Sequence, residues 1–542
     1  MSLIETARNW AAHDPDPETK AEILTLVDAG DEAELAQRFQ GPLAFGTAGL
    51  RAKVGAGESR LNQAVITRVT YGLTAWLRSK IGADPVIVVG CDARHGSKKF
   101  QQVAAEVISA LGGRALVLPP ENPTPLTAFS VKKYHADAGI MVTASHNPPA
   151  DNGYKVYLGG RVATGAAEGV QLVSPADKEI ASAFEAAPMA DEIALSTDNI
   201  EQVDPREEYI ARAKTLAGEH RDVTIALTPM HGVGGAIGHQ LLSELGFTVS
   251  VVPEQADPDP DFPTVSFPNP EEQGALDLAK RHAESIDADV IIAYDPDADR
   301  CAVATRVAGQ WRQLSGDETG ALLGQYIAAR GATGAFANSI VSSRLLGQIA
   351  KAHGLHHENT LTGFKWIART PELAFGYEEA IGYCCDPAAV ADKDGISASV
   401  LVASLVGELK AQGRTLMDAL DDLARTHGLY LSAPLTFRVS DLSLIAEGMH
   451  TLRTNPPTQL AGAKVTEVID LAAGTLPCGA TDGMYFVTER DDRVIVRPSG
   501  TEPKLKCYLE VVFPVTGEDV PREAAQQRLT EISEELRAHL GM

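Results

Sequence analysis

Short apolar runs alternate with amphipathic stretches along most of the chain. The runs at residues 85–90 (PVIVVG), 138–142, 223–228 (VTIALT), 289–294 and 335–341 read as buried strands. Helical spacing follows at 98–111, 125–133, beyond the Gly232–Gly235 loop, at 271–284 and from about Ser343. Strand–helix alternation of this kind implies α/β layers around largely parallel sheets, with functional loops at the carboxyl ends of the strands. Residues 1 to 40 carry helical spacing broken by Pro15 and Pro17 and predict two short covering helices. A polar, acid-rich stretch over 174–204 marks a first boundary. The expected domains are 1–204, 205–311 and 312–430, all α/β, and an α+β domain over 431–542. In that last domain a helix near 440–453, short strands, a strand from Arg493 to Val496 and a closing helix near 521–540 are expected.

The strand at 138–142 runs into Thr143–Lys155, TASHNPPADNGYK. Asn-Pro-Pro and Asp-Asn-Gly predict a loop, with Gly153 turning the backbone and Lys155 returning a cation towards Ser145. A hydroxyl at a strand end beside His146 and a lysine fits a nucleophile; a serine capping a turn fits the same residues. The strand at 289–294 runs into Asp295-Pro-Asp297-Ala-Asp299-Arg300. In an extended loop these alternate carboxylates face one way and converge on a hard cation. An EF-hand is excluded, because its Gly and Glu positions hold Arg300 and Arg306. An exposed acidic loop is the competing reading.

Other loops offer anion or sugar contacts. Phe45-Gly-Thr-Ala-Gly-Leu-Arg51 joins a close-approach backbone to a forked cation, or is a glycine turn before a strand. Pro229–Gly235 reads as a tight strand-to-helix turn. Glu378 and Glu379 are placed to accept from sugar hydroxyls, and Lys393 stands beside the start of a helix. Arg497-Pro-Ser499-Gly500-Thr501-Glu-Pro-Lys504 follows a strand and forms an anion cradle, or a β-turn with incidental polar groups.

Charge sharpens this picture. The 542 residues carry a net charge of −25, which disfavours nucleic acid and anionic membranes as partners. It also repels phosphorylated small molecules, so a phosphate site must gather local cations; Arg51, Arg94, Lys155, Arg300, Lys393, Arg497 and Lys504 are those available. Six cysteines without a C-x-x-C pair suit a reducing compartment. The N-terminus has no signal-peptide pattern, and no apolar run reaches the ~18 residues of a membrane span, so a cytoplasmic protein is expected.

The serine loop resembles the active-serine loop of the α-D-phosphohexomutase superfamily, the phosphoglucomutases and phosphomannomutases. Four further segments match in order: FGTAGLR, with Ala48 for the usual serine; D-x-D-x-D-R at Asp295–Arg300; the sugar loop at Gly376–Gly382; and R-P-S-G-T-E-P at Arg497–Pro503. The resemblance covers residues 40 to 515 and implies four domains around a central cleft. It implies a phosphorylated Ser145, with Mg²⁺ held by Asp295, Asp297, Asp299 and Ser145. It also implies a sugar bisphosphate as intermediate and activator, and interconversion of glucose or mannose 1-phosphate with the 6-phosphate. Catalytic work falls to Ser145, Lys155, Lys393 and Arg51, with His146 orienting the loop or its phosphate. Sugar-phosphate contacts fall to Arg300, Glu378, Glu379, Arg497, Ser499, Gly500 and Thr501. Ala380 stands where many members carry a serine, and the Glu-Glu-Ala-Ile-Gly form is similar to the branch that includes phosphopentomutases. A pentose mutase and a glucose-1,6-bisphosphate synthase are therefore the alternatives. A phosphatase or a non-catalytic binding protein would share the site without isomerising.

Overall fold

The computed structural model describes residues 2–43, 49–439, 441–499 and 503–542. Phe45–Ala48 of the first glycine loop, and Gly500, Thr501 and Glu502 of the phosphate cradle, lie outside the described residues. Two compact units are formed, residues 1–313 with 382–407 and residues 314–381 with 408–542.

The first unit contains two sheets. One comprises β1 (Leu50–Lys53), β2 (Val86–Cys91), β3 (Arg114–Val117), β4 (Ala138–Val142), β5 (Asp151–Leu158), β6 (Val170–Gln171) and β7 (Ile200–Gln202). Its order is β1-β5-β4-β2-β3-β7, with β6 beside β5. The β4-β2-β3-β7 part is parallel, and β1, β5 and β6 join antiparallel. β4 is buried at every position, as a strand covered on both faces must be. Helices Gln63–Ile81 and Ser97–Ala110 supply Val69, Leu73, Phe100 and Val103 to the core around Ile87, Val89 and Ile140. Asn62 starts the longer helix by accepting the Val65 amide, and left-handed Gly82 ends it.

The second sheet takes β8 (Thr224–Thr228), β9 (Thr248–Val251), β10 (Val290–Tyr294), β11 (Cys301–Val307) and β12 (Gln310–Gln313) in the order β12-β11-β10-β8-β9. β9, β8 and β10 are parallel, whereas β10 and β11 form an antiparallel pair joined by the aspartate loop. In the second unit β13 (Ala335–Ser339) pairs in parallel with β14 (His356–Thr360) and β15 (Leu373–Glu378). The C-terminal sheet is antiparallel with six strands, with Leu429–Arg438 at one edge beside Lys504–Phe513 and Gln459–Leu460 at the other, and helices Ser443–Thr454 and Arg522–Leu540 pack in the same domain. Among the described residues no helix is long and apolar enough to cross a membrane.

Three local expectations are corrected. The N-terminal cover has three helices, Leu3–Ala12, Pro17–Ala29 and Glu32–Arg38, because left-handed Gly30 ends the second and Asp31 caps the third. The helix expected from 271 begins at Asp277, after turns through Pro270–Gly274. Residues 151–158 form β5 rather than the second half of a loop. Gly153 lies inside that strand opposite Arg51, and a Cβ there would stand 2.4 Å from Thr143 O and 2.7 Å from Leu50 O. Its glycine serves close strand approach, not a turn.

Candidate active site

Ser145 stands just past β4, with φ +51 in the left-handed region. A non-glycine residue there costs on the order of 1–3 kcal/mol and persists only when its surroundings fix it. The Ser145 amide donates to Thr143 Oγ1 at 2.9 Å, and the Arg94 guanidinium donates to Ser145 O at 2.8 Å. The hydroxyl donates to Asp295 Oδ2 at 2.7 Å and lies 3.1 Å from His146 Nδ1. Burial, reinforced by Arg300 and Arg51, pushes the His146 imidazole well below its usual range, so at neutral pH the ring is uncharged.

Asp295, Asp297 and Asp299 are each almost fully buried and present carboxylate oxygens within 4.8 Å of one another. A turn with left-handed Ala298 (φ +56) brings them together, not the alternation of an extended loop. The Ala298 amide donates to Asp295 O at 2.9 Å and the Arg300 amide to Asp295 Oδ1 at 3.0 Å. At the start of helix Thr124–Lys133, Thr124 donates through its amide to Asp297 O at 2.9 Å and through its hydroxyl to Asp297 Oδ2 at 2.6 Å. Asp297 Oδ1 and Asp299 Oδ1 are buried without a hydrogen-bond partner among the described residues. An all-oxygen, three-carboxylate set with two open ligand atoms fits a hard divalent cation.

Lys155, on β5, donates to Asp297 Oδ2 at 2.7 Å and Asp299 Oδ2 at 2.9 Å. Burial works against its charge, but the two aspartates prevail and its pKa moves up. Burial and the neighbouring carboxylates push Asp295 well above the usual carboxylate range. Asp299 moves down despite its burial, because Lys155, Lys393 and Arg300 surround it. Lys393 Nζ lies 3.4 Å from Asp299 Oδ2 and 3.7 Å from Asp392 Oδ1. Its segment is tied down on both sides. Asp392 accepts from Tyr157 Oη at 2.7 Å and Gln171 Nε2 at 2.8 Å, and Asp394 accepts from Tyr209 Oη at 2.8 Å. Gly395 packs so closely on the aspartate loop that a Cβ would meet Arg300 O at 2.2 Å. Arg51 donates to Asn147 Oδ1 at 3.3 Å, and Arg300 Nη1 lies 3.5 Å from Glu271 Oε2.

Ser145, His146, Lys155, the three aspartates, Arg300 and Lys393 are thus linked by contacts within the first unit, and Arg51 joins them through Asn147. In the second unit, Glu379 Oε2 accepts from Ser339 Oγ at 3.0 Å and Ser342 Oγ at 2.9 Å, and Glu378 ends β15 beside it. Arg497 donates to Thr362 Oγ1, and the Ser499 amide donates to Lys504 O at 2.8 Å. Sequence reasoning missed Thr124, Tyr157, Ser339 and Ser342. Only the placement of Thr124 at a helix start after Pro123 hinted at a loop-facing group.

The four domain models of the phosphoglucomutase/phosphomannomutase family match in order. Its α/β/α domain I covers residues 42–189, domain II 207–309, domain III 315–427 and the C-terminal domain 453–526. The "Probable phosphomannomutase" of Haemophilus influenzae is 44% identical over 463 residues, covering 83% of this chain and 93% of that protein. The phosphoribomutase of Saccharomyces cerevisiae is 34% identical over 577 residues, covering 92% and 91%. In fold the chain is similar to the crystal structure of the Paramecium phosphoprotein pp63/parafusin (phosphoglucomutase), with a TM-score of 0.70, 19% identity, and 93% and 97% of the two chains covered. With all four domains matched and relatives aligned over nearly their whole length, the chain belongs to the phosphoglucomutase/phosphomannomutase family of phosphosugar mutases, which are isomerases.

Proposed function

We propose that this mutase interconverts hexose 1-phosphate and hexose 6-phosphate, with glucose and mannose as the sugars, through phosphorylated Ser145 and a sugar bisphosphate. The carrying observation is the Ser145 hydroxyl, 2.7 Å from Asp295 Oδ2 at the edge of a three-aspartate cluster. The phosphoryl group leaves Oγ for the free hydroxyl of the sugar monophosphate: the bond from Oγ to phosphorus breaks and one from the sugar oxygen forms. After the bisphosphate turns over, its other phosphate returns to Ser145. Lys155 is the proton carrier of the serine side. Its ammonium, kept charged by Asp297 and Asp299, gives a proton to the departing Oγ and recovers it in the return transfer. Lys393 is the second acid/base group, on the sugar side. A divalent cation such as Mg²⁺, held by Asp295, Asp297, Asp299 and the serine phosphate, neutralises the transferring group when bound. Neutral His146 orients the serine through its 3.1 Å contact, and Arg51 and Arg300 add positive charge.

Glu378 and Glu379 accept from sugar hydroxyls, and Arg497, Ser499, Gly500 and Thr501 hold the phosphate that is not reacting. Domain boundaries are placed near 204, 311 and 430. A pentose substrate is the second reading, favoured by Ala380 and by the phosphoribomutase relative.

Turnover of glucose 1-phosphate, mannose 1-phosphate and ribose 1-phosphate, with Mg²⁺ and a trace of the matching bisphosphate, tests these readings. Isomerisation lost in Ser145→Ala is expected, with the highest kcat/KM on a hexose phosphate. Highest kcat/KM on ribose 1-phosphate would select the pentose reading. Turnover unaffected by the alanine would overturn the phosphoserine route.

A further inference from the structure

Arg94 lies 51 positions before Ser145, yet its guanidinium fills the inside of the serine loop. Nη2 donates to Ser145 O at 2.8 Å and Asn147 O at 2.5 Å. Nη1 donates to Pro148 O at 2.8 Å and Asp151 O at 3.0 Å. The side chain is 1% exposed, with its carbon 5.0 Å from the centre of the Phe262 ring. Asp92 faces it at 3.6 Å and is itself fixed by the Ser97 hydroxyl at 2.5 Å and the Arg94 amide at 2.9 Å.

Four carbonyls turned towards one point favour a donor there: Ser145 O is buried, and of the other three, on half-buried or exposed residues, Pro148 O also accepts the Asp151 amide. A planar guanidinium with several N–H groups in a fixed fork meets four at once; a lysine ammonium has three donors at one point. The loop's other anchors are the Ser145 amide on Thr143 Oγ1, the Ser145 hydroxyl on Asp295, the Val54 amide on Ala150 O and Arg51 on Asn147 Oδ1, none of which reaches the four carbonyls that Arg94 holds. Two successive prolines, Pro148 and Pro149, bring no N–H. Its internal bonds are Asn147 N to Ala144 O, Asp151 N to Pro148 O and the Asn147–Asp151 side-chain pair. Within the same loop Ser145 holds a left-handed φ of +51, which a slack loop would release.

We propose that Arg94 is a positioning residue for phosphoryl transfer: by clamping the carbonyls from Ser145 to Asp151 it fixes the strained backbone that points the Ser145 hydroxyl at Asp295. It touches no reacting atom. The inference rests on Ser145 as the phosphoryl carrier. It goes beyond that reading by assigning alignment to the fork of Arg94 rather than to its charge. The grip takes in the loop and only the first residue of β5, so losing it shifts the reacting oxygen while β2 and β4 stay intact. A displacement of about 1 Å at a reacting atom costs roughly 100-fold in rate.

The test compares Arg94→Lys and Arg94→Met with the wild-type full-length chain. It measures kcat and KM at saturating bisphosphate, phosphate on Ser145 by intact mass, and amide exchange across residues 145–151. Both variants are expected to lose kcat by about 100-fold, with KM within roughly threefold and exchange of the loop accelerated while β2 and β4 keep their protection. Near wild-type kcat in Arg94→Lys would show that charge sufficed and overturn the proposal. So would activity falling only in step with the folded fraction. If neither variant accumulates folded, Phe262→Leu decides: it keeps Arg94 but removes its stacking face. A drop in kcat at constant KM is expected, and an unchanged kcat rejects the clamp. A wild-type enzyme that never carries phosphate on Ser145 would defeat the phosphoserine reading instead. The exchange data then decide the clamp, with faster loop exchange upholding it and unchanged exchange overturning it.

Discussion

Lys155 serves two buried carboxylates with one ammonium, at 2.7 and 2.9 Å, while only 2% exposed itself. Replacing it by methionine keeps the bulk and removes both the proton and the compensating charge. Turnover of Lys155→Met is expected to fall by roughly 100- to 10,000-fold, as for loss of a general acid/base. In a chelator the same variant takes from Asp297 its ion-pair partner and leaves Asp299 only Lys393 and Arg300, a loss on the order of 3–5 kcal/mol for a broken buried pair. Thermal unfolding with and without Mg²⁺ checks this, because added cation should restore part of the loss in the variant. Turnover near wild type would remove Lys155 from the chemistry. His146 gives a complementary test. Burial together with Arg300 and Arg51 holds the ring neutral through the physiological range. His146→Gln should therefore lower kcat while leaving the shape of the pH–kcat profile between about pH 6 and pH 8 unchanged. A lost inflection in that window would show that the ring titrates during turnover.

At the scale of elements, the aspartate loop depends on the start of a helix from the neighbouring sheet. Thr124 grips Asp297 twice, by amide and by hydroxyl. Thr124→Val keeps the amide bond and the shape but leaves Asp297 Oδ2 to Lys155 alone, so a divalent cation should bind about 10–100-fold more weakly. Calorimetric Mg²⁺ titration of the variant measures this directly, and unchanged affinity would reduce Thr124 to a packing residue. Contacts of this kind separate what the sequence discloses from what it conceals. The apolar runs before Ser145 and Asp295 are local signals, and so is the break that follows each; strand ends and site loops were therefore legible. Left-handed Ser145 and Ala298 were not, because neither residue type favours that backbone and both are held there by partners. β5 was hidden because Asp-Asn-Gly reads as a turn, while its pairing with β1 rests on residues about a hundred positions away. Thr124 showed only as a helix start and Arg94 only as one of several local cations, for the same reason: their partners lie 173 and 51 positions off.

At the scale of the whole molecule, a chain of net charge −25 repels itself at neutral pH, and the buried carboxyls add to that penalty. Burial pushes Asp394 up to about 6, although the Ser397 amide and the Tyr209 hydroxyl pull it back. The folded chain thus keeps this proton up to about 6, while the unfolded chain releases it near the ordinary value of 3.8. Stability is lost as pH rises from the lower value through the upper, and the full cost above that window is on the order of 3 kcal/mol. Asp394→Asn removes the titration but keeps an oxygen for the Ile396 and Ser397 amides. Relative to wild type, the variant should gain roughly 1 kcal/mol on going from about pH 5.5 to about pH 7.5. Added salt separates this local effect from the global one. It screens self-repulsion and should raise the Tm of both proteins alike near pH 7.5, leaving their difference in place because a fully buried carboxyl is little screened. Chemical denaturation at the two pH values reads the difference, and identical pH dependence in the two proteins would return Asp394 to an ordinary carboxylate.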